Sequence, residues 1–424
     1  MLTDFLRRII LGKKEGFSFT AYKKGLVDFE KIEDDIGLYI HIPFCQTICP
    51  YCPYNKTIYN QEKAGEYKEA LLKELILYKN LLGNKKISSV YIGGGTPTLL
   101  IKELGEVIGF LNTDYGFHGD IGIELYPSQV NEDLVSQLKE LGIELVSLGV
   151  QTFNNEKLKF LGRNYEEKDL DRALTLLTQA NFKCVDVDLM TNLPGQSWEE
   201  LEYDLRKVYS YPIDQLSVYP LIVFPMTGLG RVIEKRGLSR FSELEERKIL
   251  KLIDDISAQY GYKSSSVWTY GKSDGIRYTS VTRESFLGIG AGASSLFDCY
   301  FYLNTFDVDE YIKVLNRGRL PINLVNRMNE REKMIFWLFW RFYEGVIDEE
   351  RFRFLFNREA RKEFRLLFGA LRFLGMSKSQ EGKIILTDWG RFAYHFIEKQ
   401  YSLHYLNKLW QAAREEAWIR EIVL

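Results

Sequence analysis

The chain has 424 residues, of which 46% are hydrophobic and 27% charged, and its 56 basic and 58 acidic side chains give a net charge of −2. This composition is typical of a globular protein and excludes a disordered, collagenous or coiled-coil chain. Five cysteines exclude a disulfide scaffold, and the near-neutral charge disfavours nucleic-acid binding. No apolar run reaches the ~20 residues of a membrane span, so we expect a cytoplasmic protein without one.

The first 16 residues predict a short amphipathic helix docked on the body, because Leu2, Phe5, Leu6 and Ile9 share one helical face. From residue 36 to about residue 224, β-rich runs then alternate with helical runs. The predicted strands are 38–43, 89–94, 120–126, 144–151, 184–190 and 215–221. The predicted helices are 66–82, 99–111, 131–141, 168–180 and 198–209. This alternation indicates an α/β fold with a parallel sheet, whose ligand site lies at the carboxyl ends of the strands; an open sheet and a barrel both fit.

Beyond residue 223 the pattern changes. We predict a helix at 242–260, a small strand region at 263–270 and a glycine-rich loop at 288–295. An apolar helix follows at 334–342, whose five aromatic residues we interpret mainly as core. The segment 361–400 reads as helix, hairpin or wing, and helix, which resembles a winged-helix module acting as a cap. The predicted segments are an extension (1–35), a core domain (36–235), a completing region (236–322) and a helical, winged-helix-like domain (323–424).

A cluster of cysteines carries the chemistry. Cys45, Cys49 and Cys52 have the spacing Cys-x3-Cys-x2-Cys directly after the first predicted strand. Thiolates favour iron–sulfur clusters, copper(I) or zinc. Structural zinc normally takes four ligands, and no fourth Cys or His stands at zinc-finger spacing. Three ligands suit a [4Fe–4S] cluster that leaves one iron open to a substrate.

The cysteine motif and its flanks resemble the radical S-adenosylmethionine (SAM) enzymes, in the branch that contains oxygen-independent coproporphyrinogen oxidase. The matching segments, in family order, are YIHIPFC (39–45), GGGTPT (93–98), IELYP (123–127), SLGVQTF with LGR (147–153 and 161–163), DLMTNLPGQ (188–196) and GIGAGASS (288–295). The resemblance implies a partial (β/α)6 TIM-type barrel, a [4Fe–4S] cluster and SAM, possibly two SAM molecules, and reductive cleavage of SAM to a 5'-deoxyadenosyl radical.

The resemblance also implies roles for individual residues. The three cysteines ligate irons, and Tyr39 and His41 lie near the active site, although a hydrogen-bonded core histidine is an equal reading of His41. Glu124 suits the ammonium of SAM, and Arg163 suits its carboxylate because a guanidinium can bind it bidentately. The remaining candidate contacts to SAM are Tyr51, Gly93, Gly94, Gly95, Thr96, Gln151, Asp188, Gly290 and Ala291.

Three reactions remain open within this branch. The Arg-Tyr-Thr-Ser-Tyr-Pro segment of the oxidase is missing, and Cys52-Pro53-Tyr54-Asn55-Lys56 replaces its Cys-Asp-Phe. We therefore favour methyl or methylene transfer to an sp2 carbon of an aromatic or tetrapyrrole-like substrate, using two SAM. The alternatives are oxidative decarboxylation and heme handling without turnover, for which His395 and His404 are candidate axial ligands. The expected electron donor is a flavodoxin or ferredoxin, and no nucleic-acid partner is expected.

Overall fold

The computed structural model describes residues 17–272, 275 and 283–424, apart from the side chains of residues 234 and 236. The amphipathic helix predicted at 2–9 therefore lies outside the described residues. Within the described ranges no helix is both long enough and apolar enough to span a bilayer.

The strands in these ranges fall into one large sheet and two small ones. In chain order they are β1 (Ser18–Ala21), β2 (Asp35–Ile42), β3 (Phe44–Cys45), β4 (Thr57–Ile58), β5 (Lys86–Gly94), β6 (Asp120–Leu125), β7 (Ile143–Gln151), β8 (Cys184–Thr191), β9 (Gln215–Pro220), β10 (Lys263–Ser264), β11 (Thr269–Gly271), β12 (Phe286–Ile289), β13 (Ser294–Phe297), β14 (Tyr300–Asn304), β15 (Ile322–Arg327), β16 (Val346–Asp348), β17 (Ser377–Gln380), β18 (Lys383–Leu386) and β19 (Glu421–Val423).

The α-helices connect these strands and build the carboxyl-terminal module. They are α1 (Gln61–Leu82), α2 (Ile101–Asp114), α3 (Glu132–Glu140), α4 (Asn155–Phe160), α5 (Glu167–Gln179), α6 (Trp198–Val208), α7 (Gly228–Arg236), α8 (Glu243–Gln259), α9 (Val308–Asn316), α10 (Glu330–Glu344), α11 (Glu349–Phe356), α12 (Ala360–Glu363), α13 (Arg365–Phe373), α14 (Asp388–Tyr401) and α15 (Asn407–Glu415). A short π-helical turn, Ser402–Leu406, joins the last two.

The six predicted strands are confirmed as β2 and β5–β9, which lie side by side in the order β9-β8-β7-β6-β5-β2 and are all parallel. Each differs from its predicted bounds by only a few residues. Helices α1–α6 provide the crossovers, as parallel pairing requires. The strands are buried on both faces: in β8, Val185 and Val187 on one face and Cys184 and Met190 on the other are all buried. The expected α/β class is confirmed.

The glycine-rich segment at 288–295 is not simply a loop, and that prediction was wrong in part. Strand β12 pairs in parallel with β2, on the side away from β5, and β13 returns antiparallel to it. A Cβ atom at Gly288 would lie 2.1 Å from the carbonyl oxygen of Ser294, so glycine allows the two strands to approach. The glycines concealed a strand because they interrupt its apolar pattern.

The sheet continues from β13 through β14, β15, β1 and β19, all antiparallel to their neighbours. Strand β15 runs across the boundary predicted at 322/323, and the predicted domain boundaries stay predictions. The helix–hairpin–helix pattern predicted near the carboxyl end is confirmed by α13, the β17–β18 hairpin and α14. Of the five aromatic residues predicted at 334–342, Trp337 is buried in this module with Phe352, Phe368 and Ile384, and the other four are half-buried.

Candidate active site at the carboxyl ends of the strands

The three predicted cluster ligands lie in one loop at the carboxyl end of β2. Cys45 is buried, Cys49 and Cys52 are half-buried, and all three thiols are free. The loop turns tightly, since the N–H of Cys52 donates to the carbonyl of Cys49 at 3.2 Å. The parallel β3–β4 pairing closes the loop at its base. Burial and then the neighbouring cysteines raise the pKa of Cys45 to about 12, so that binding a metal here would release a proton.

No three Cys, His, Asp or Glu side chains in the described part of the chain converge closely enough to hold a single metal ion. A cluster is a different kind of ligand, because each of its irons takes one thiolate and the sulfurs stand further apart. The donor set therefore suits a cluster with three protein ligands better than a mononuclear site.

The triple-glycine turn after β5 packs directly against the cysteine loop. A Cβ atom at Gly95 would lie 2.7 Å from Sγ of Cys45 and 2.5 Å from the carbonyl oxygen of Phe44. Gly94 has a φ of 124°, which side chains other than glycine rarely adopt. The N–H of Thr96 donates to the carbonyl of Phe44 at 2.8 Å. These glycines are needed to bring backbone beside the first cysteine.

Glu124 ends the next strand and faces this turn. Its carboxylate accepts the N–H of Gly94 at 2.9 Å and the hydroxyl of Tyr91 at 2.8 Å. A Cβ atom at Gly93 would collide with the same carboxylate, at 2.8 Å. Burial raises the pKa of Glu124. An ionised carboxylate offers about four acceptor positions, so this group has capacity left for an ammonium.

Arg163 lies beside the cysteine loop and has no carboxylate within ion-pair distance among the described residues. Its guanidinium donates to the hydroxyl of Tyr51, which directly precedes the third cysteine. The faces of Tyr51, Tyr126 and Tyr165 surround it, with ring centroids at 5.6, 5.0 and 5.8 Å. Its Nε is buried without a hydrogen-bond partner. A cation whose buried Nε donor is unused fits a carboxylate ligand.

Gln151 and Asp188 end up on neighbouring strands. Gln151 is 4% exposed, its Oε1 has no partner, and its φ is 70°, in the left-handed region that glycine favours. Strain of this kind persists where the surroundings impose it and clusters at functional sites. Asp188 shares the hydroxyl of Ser147 with Asp186, at 3.1 and 3.0 Å. Burial and then the carboxylate of Asp186 raise the pKa of Asp188 well above its usual value.

Tyr39 and His41 form a closed hydrogen-bond chain. The ring Nε2 of His41 lies 3.0 Å from the carbonyl oxygen of Asn55, which can only accept, so Nε2 donates. The Tyr39 hydroxyl then donates to Nδ1 at 2.8 Å. Burial lowers the pKa of His41 to about 4. This geometry gives His41 a positioning role beneath the cysteine loop, and a direct catalytic role for either residue stays a prediction.

Gly290 and Ala291 lie behind His41, and both of their N–H groups are already used by protein side chains. The N–H of Gly290 donates to the buried carboxylate of Glu74, and the N–H of Ala291 to the Tyr67 hydroxyl, at 2.9 and 2.8 Å. The carbonyl of Ala291 accepts from the Asn55 side chain at 2.9 Å. The structure thus links this turn to the cysteine loop through Asn55, and its contact with SAM stays a prediction.

Sequence reasoning missed the residues that hold the cysteine loop from outside. Arg414 of α15 donates to the carbonyls of Pro53 and Tyr54, and Trp410 packs on the Tyr54 ring at 5.6 Å. On the other flank, the N–H of Leu229 donates to the carbonyl of Pro50 at 2.8 Å. No local motif signals these contacts, because about 360 residues separate Arg414 from the loop.

His395 does not meet the requirement for an axial heme ligand, which corrects its choice as a candidate ligand and not the alternative of heme handling. It is 1% exposed, its Nδ1 accepts from Trp268 Nε1 at 3.1 Å and its Nε2 faces Glu246 at 3.2 Å. Both ring nitrogens are therefore engaged. His404, on the π-helical turn, is exposed.

Comparison with known proteins agrees with this geometry. Residues 39–208 match the description of the radical SAM superfamily. The matched segment contains the cysteine loop and the carboxyl ends of β2 and β5–β8. It is 27% identical, over 83% of its length and 95% of the relative, to the heme chaperone HemW of Bacillus subtilis. It is 29% identical, over 68% of its length and 66% of the relative, to the oxygen-independent coproporphyrinogen III oxidase of Escherichia coli.

The fold also matches a solved structure. The coproporphyrinogen III oxidase HemN of Escherichia coli, a radical SAM enzyme, superposes with a TM-score of 0.77 at 21% identity, covering 91% of this chain and 96% of the other. This likeness confirms the partial-barrel architecture with its carboxyl-terminal module. The superfamily implies a [4Fe–4S] cluster and SAM, and the free thiols, the glycine turn and the unpartnered atoms of Arg163 and Gln151 fit both groups.

Proposed function

We propose that the chain holds a [4Fe–4S] cluster through Cys45, Cys49 and Cys52, binds SAM beside it, and acts on a tetrapyrrole-like substrate. When bound, these two groups supply the reductive cleavage of SAM that characterises the superfamily. The observation that carries the proposal is Arg163, a half-buried residue next to the cysteine loop whose guanidinium meets tyrosine side chains and whose buried Nε has no partner. Leaving such a charge without a counterion is costly, and the carboxylate of SAM would compensate it.

The other site residues have proposed roles in binding SAM. The Gly93–Gly95 turn lets backbone approach a ligand at the first cysteine, and Glu124 offers its spare acceptor positions to an ammonium. Gln151 and Asp188 are the proposed partners of ribose hydroxyls, and Gln151 Oε1 is buried and unpartnered. The tetrapyrrole class rests on the named relatives, which handle heme or coproporphyrinogen.

The finer reaction is also a proposal. Methyl or methylene transfer with two SAM, which the sequence favours, has no support from the relatives described above. Oxidative decarboxylation and heme handling are what those relatives are named for, and a flavodoxin or ferredoxin donor would serve any of them. Full conversion of a coproporphyrinogen would favour the oxidase, whereas heme binding with SAM intact would favour the chaperone.

The test is anaerobic. The protein is reconstituted with iron and sulfide, reduced with dithionite and given SAM, and the products are followed by mass spectrometry. We expect 5'-deoxyadenosine and methionine, with S-adenosylhomocysteine appearing only if methyl transfer operates. A fully loaded cluster that leaves SAM intact in the presence of coproporphyrinogen or heme would contradict the enzymatic proposal. A well-folded protein that takes up no cluster would contradict the site itself.

A further inference from the structure

Residues 346–386 of the carboxyl-terminal module expose large apolar side chains that no described residue covers. Phe373 is 90% exposed, Phe354 77%, Leu366 75% and Leu374 54%. Leu366 and Phe373 stand seven residues apart in α13 and so share one helical face, while Phe368 on the other face belongs to the module core. Helix α13 is therefore apolar on both faces. Exposed apolar clusters of this kind mark interaction surfaces.

The same module is the basic part of an otherwise acidic chain. Residues 346–386 contain nine basic and six acidic side chains, whereas the whole chain has 56 and 58. Five of these cations have no carboxylate within ion-pair distance in the described part of the chain: Arg353, Arg365, Arg372, Lys378 and Lys383. Two of the five, Arg372 and Lys378, flank the exposed Phe373 and Leu374 in sequence.

A cavity of about 390 Å³ lies on the Phe368 side of α13. Its lining residues are Arg361, Phe368, Arg372, Ser377, Lys378, Ser379 and Ile384. Arg361 is already paired with Glu349 at 2.8 Å and donates to the Ser379 hydroxyl at 2.8 Å. Arg372 and Lys378 remain available, together with the Ser377 hydroxyl. Cations and hydroxyl donors of this kind bind phosphate oxygens.

We propose that this module docks the protein on an anionic phospholipid bilayer, with Leu366 and Phe373 in the interface and the cations Arg372 and Lys378 attracted to its headgroups. A bilayer accepts protruding apolar side chains without a matching pocket, and its anionic headgroups attract the cations. A second copy of the chain fits less well, since a twofold dimer through this face would oppose cation to cation. The inference is independent of the cluster and of SAM.

The experiment is vesicle flotation of the full-length, reconstituted protein. We expect binding to vesicles of phosphatidylcholine mixed with phosphatidylglycerol, weakened by salt, and none to phosphatidylcholine alone. The double variant R372Q/K378Q should bind about 30-fold more weakly, at about fivefold for each cation near the surface. The variant L366S/F373S should lose at least about tenfold. The control K168Q, which removes a cation from α5, should bind like the parent protein.

Other outcomes would overturn the proposal. Equal affinity for both vesicle types, or wild-type binding by R372Q/K378Q, would rule out the headgroup site. Absence of vesicle binding together with a dimer that L366S/F373S disrupts would identify a self-association face. Binding of inorganic phosphate without vesicle binding would reduce the cavity to a phosphate site. The substituted side chains are exposed or line the cavity, and thermal melts confirm that each variant folds.

Discussion

Glu74 and Arg163 both lack a counterion among the described residues, and the structure treats the two side chains differently. Glu74 of α1 is fully buried and accepts hydrogen bonds from Gly290, Asn304 and Tyr311. Burial raises its pKa to about 7, so it can take up a proton and become neutral. Arg163, beside the cysteine loop, cannot lose its charge and keeps an unused donor. The Glu74 region is complete as folded, whereas the Arg163 region lacks an anion.

The largest expected effect next to Arg163 is the loss of the cluster when one thiolate is removed. Replacing Cys45, Cys49 or Cys52 with alanine should reduce the iron content from about four per chain to near zero, because three ligands are the minimum for a cluster with one open iron. Iron analysis after reconstitution measures this. The control is C299A, a free cysteine outside the loop, which should load fully. A full cluster in C49A would show that the ligand set is wrong.

The second change removes the positive charge of Arg163. R163Q should weaken SAM binding by about 10- to 100-fold, the effect of charge-assisted hydrogen bonds worth about 1.5–3 kcal/mol, while iron content is unchanged. R163K should recover only part of the affinity, because lysine lacks the bidentate geometry. Equilibrium binding of SAM to the loaded protein gives the values. Unchanged affinity in R163Q would mean that another group holds the carboxylate.

The contribution of Glu74 to the free energy of unfolding should depend on pH. Glu74, with its pKa raised to about 7 from 4.5, adds stability below pH 4.5 that is lost as the pH rises to 7, about 3 kcal/mol in all. His41, with its pKa lowered to about 4 from 6.5, adds stability above pH 6.5 that is lost as the pH falls to 4, again about 3 kcal/mol. The two contributions nearly cancel in the wild-type protein.

Single variants should separate them. As the pH rises from 5 to 8, the stability of E74Q relative to the wild type should increase, and that of H41Q should decrease. Urea unfolding at the two pH values measures both changes. Parallel pH profiles for the wild type and E74Q would show that Glu74 is ionised throughout this range.

The smallest expected effect concerns the Tyr51 hydroxyl, which contacts Arg163. Y51F removes the hydroxyl that accepts from the guanidinium but keeps the ring. Losing one hydrogen bond of about 1 kcal/mol should weaken SAM binding about fivefold, in the same titration as the Arg163 variants. An effect as large as that of R163Q would mean that Tyr51 itself contacts the ligand.

The parallel sheet was predictable because its signals are local. Each of the strands β2 and β5–β9 is a short run of β-branched and apolar residues, and each crossover helix has its own periodicity. The cysteine motif was equally local. Strand β12 was missed because glycines break its pattern, and it becomes a strand only by pairing with β2. Its partner lies about 250 residues away, beyond the reach of any window along the chain.

The sequence by itself determined the parallel strands of the core, the spacing of the three proposed cysteine ligands and the residue types at the strand ends, since these follow from spacing and periodicity. Only the tertiary structure decided which candidates face an unfilled site. The N–H groups of Gly290 and Ala291 bond to protein side chains. Both ring nitrogens of His41 and of His395 have hydrogen-bond partners, whereas Arg163 and Gln151 keep unpartnered atoms. The reason is physical: hydrogen bonds and burial depend on residues that are distant in sequence, and a side chain's type does not reveal its partners.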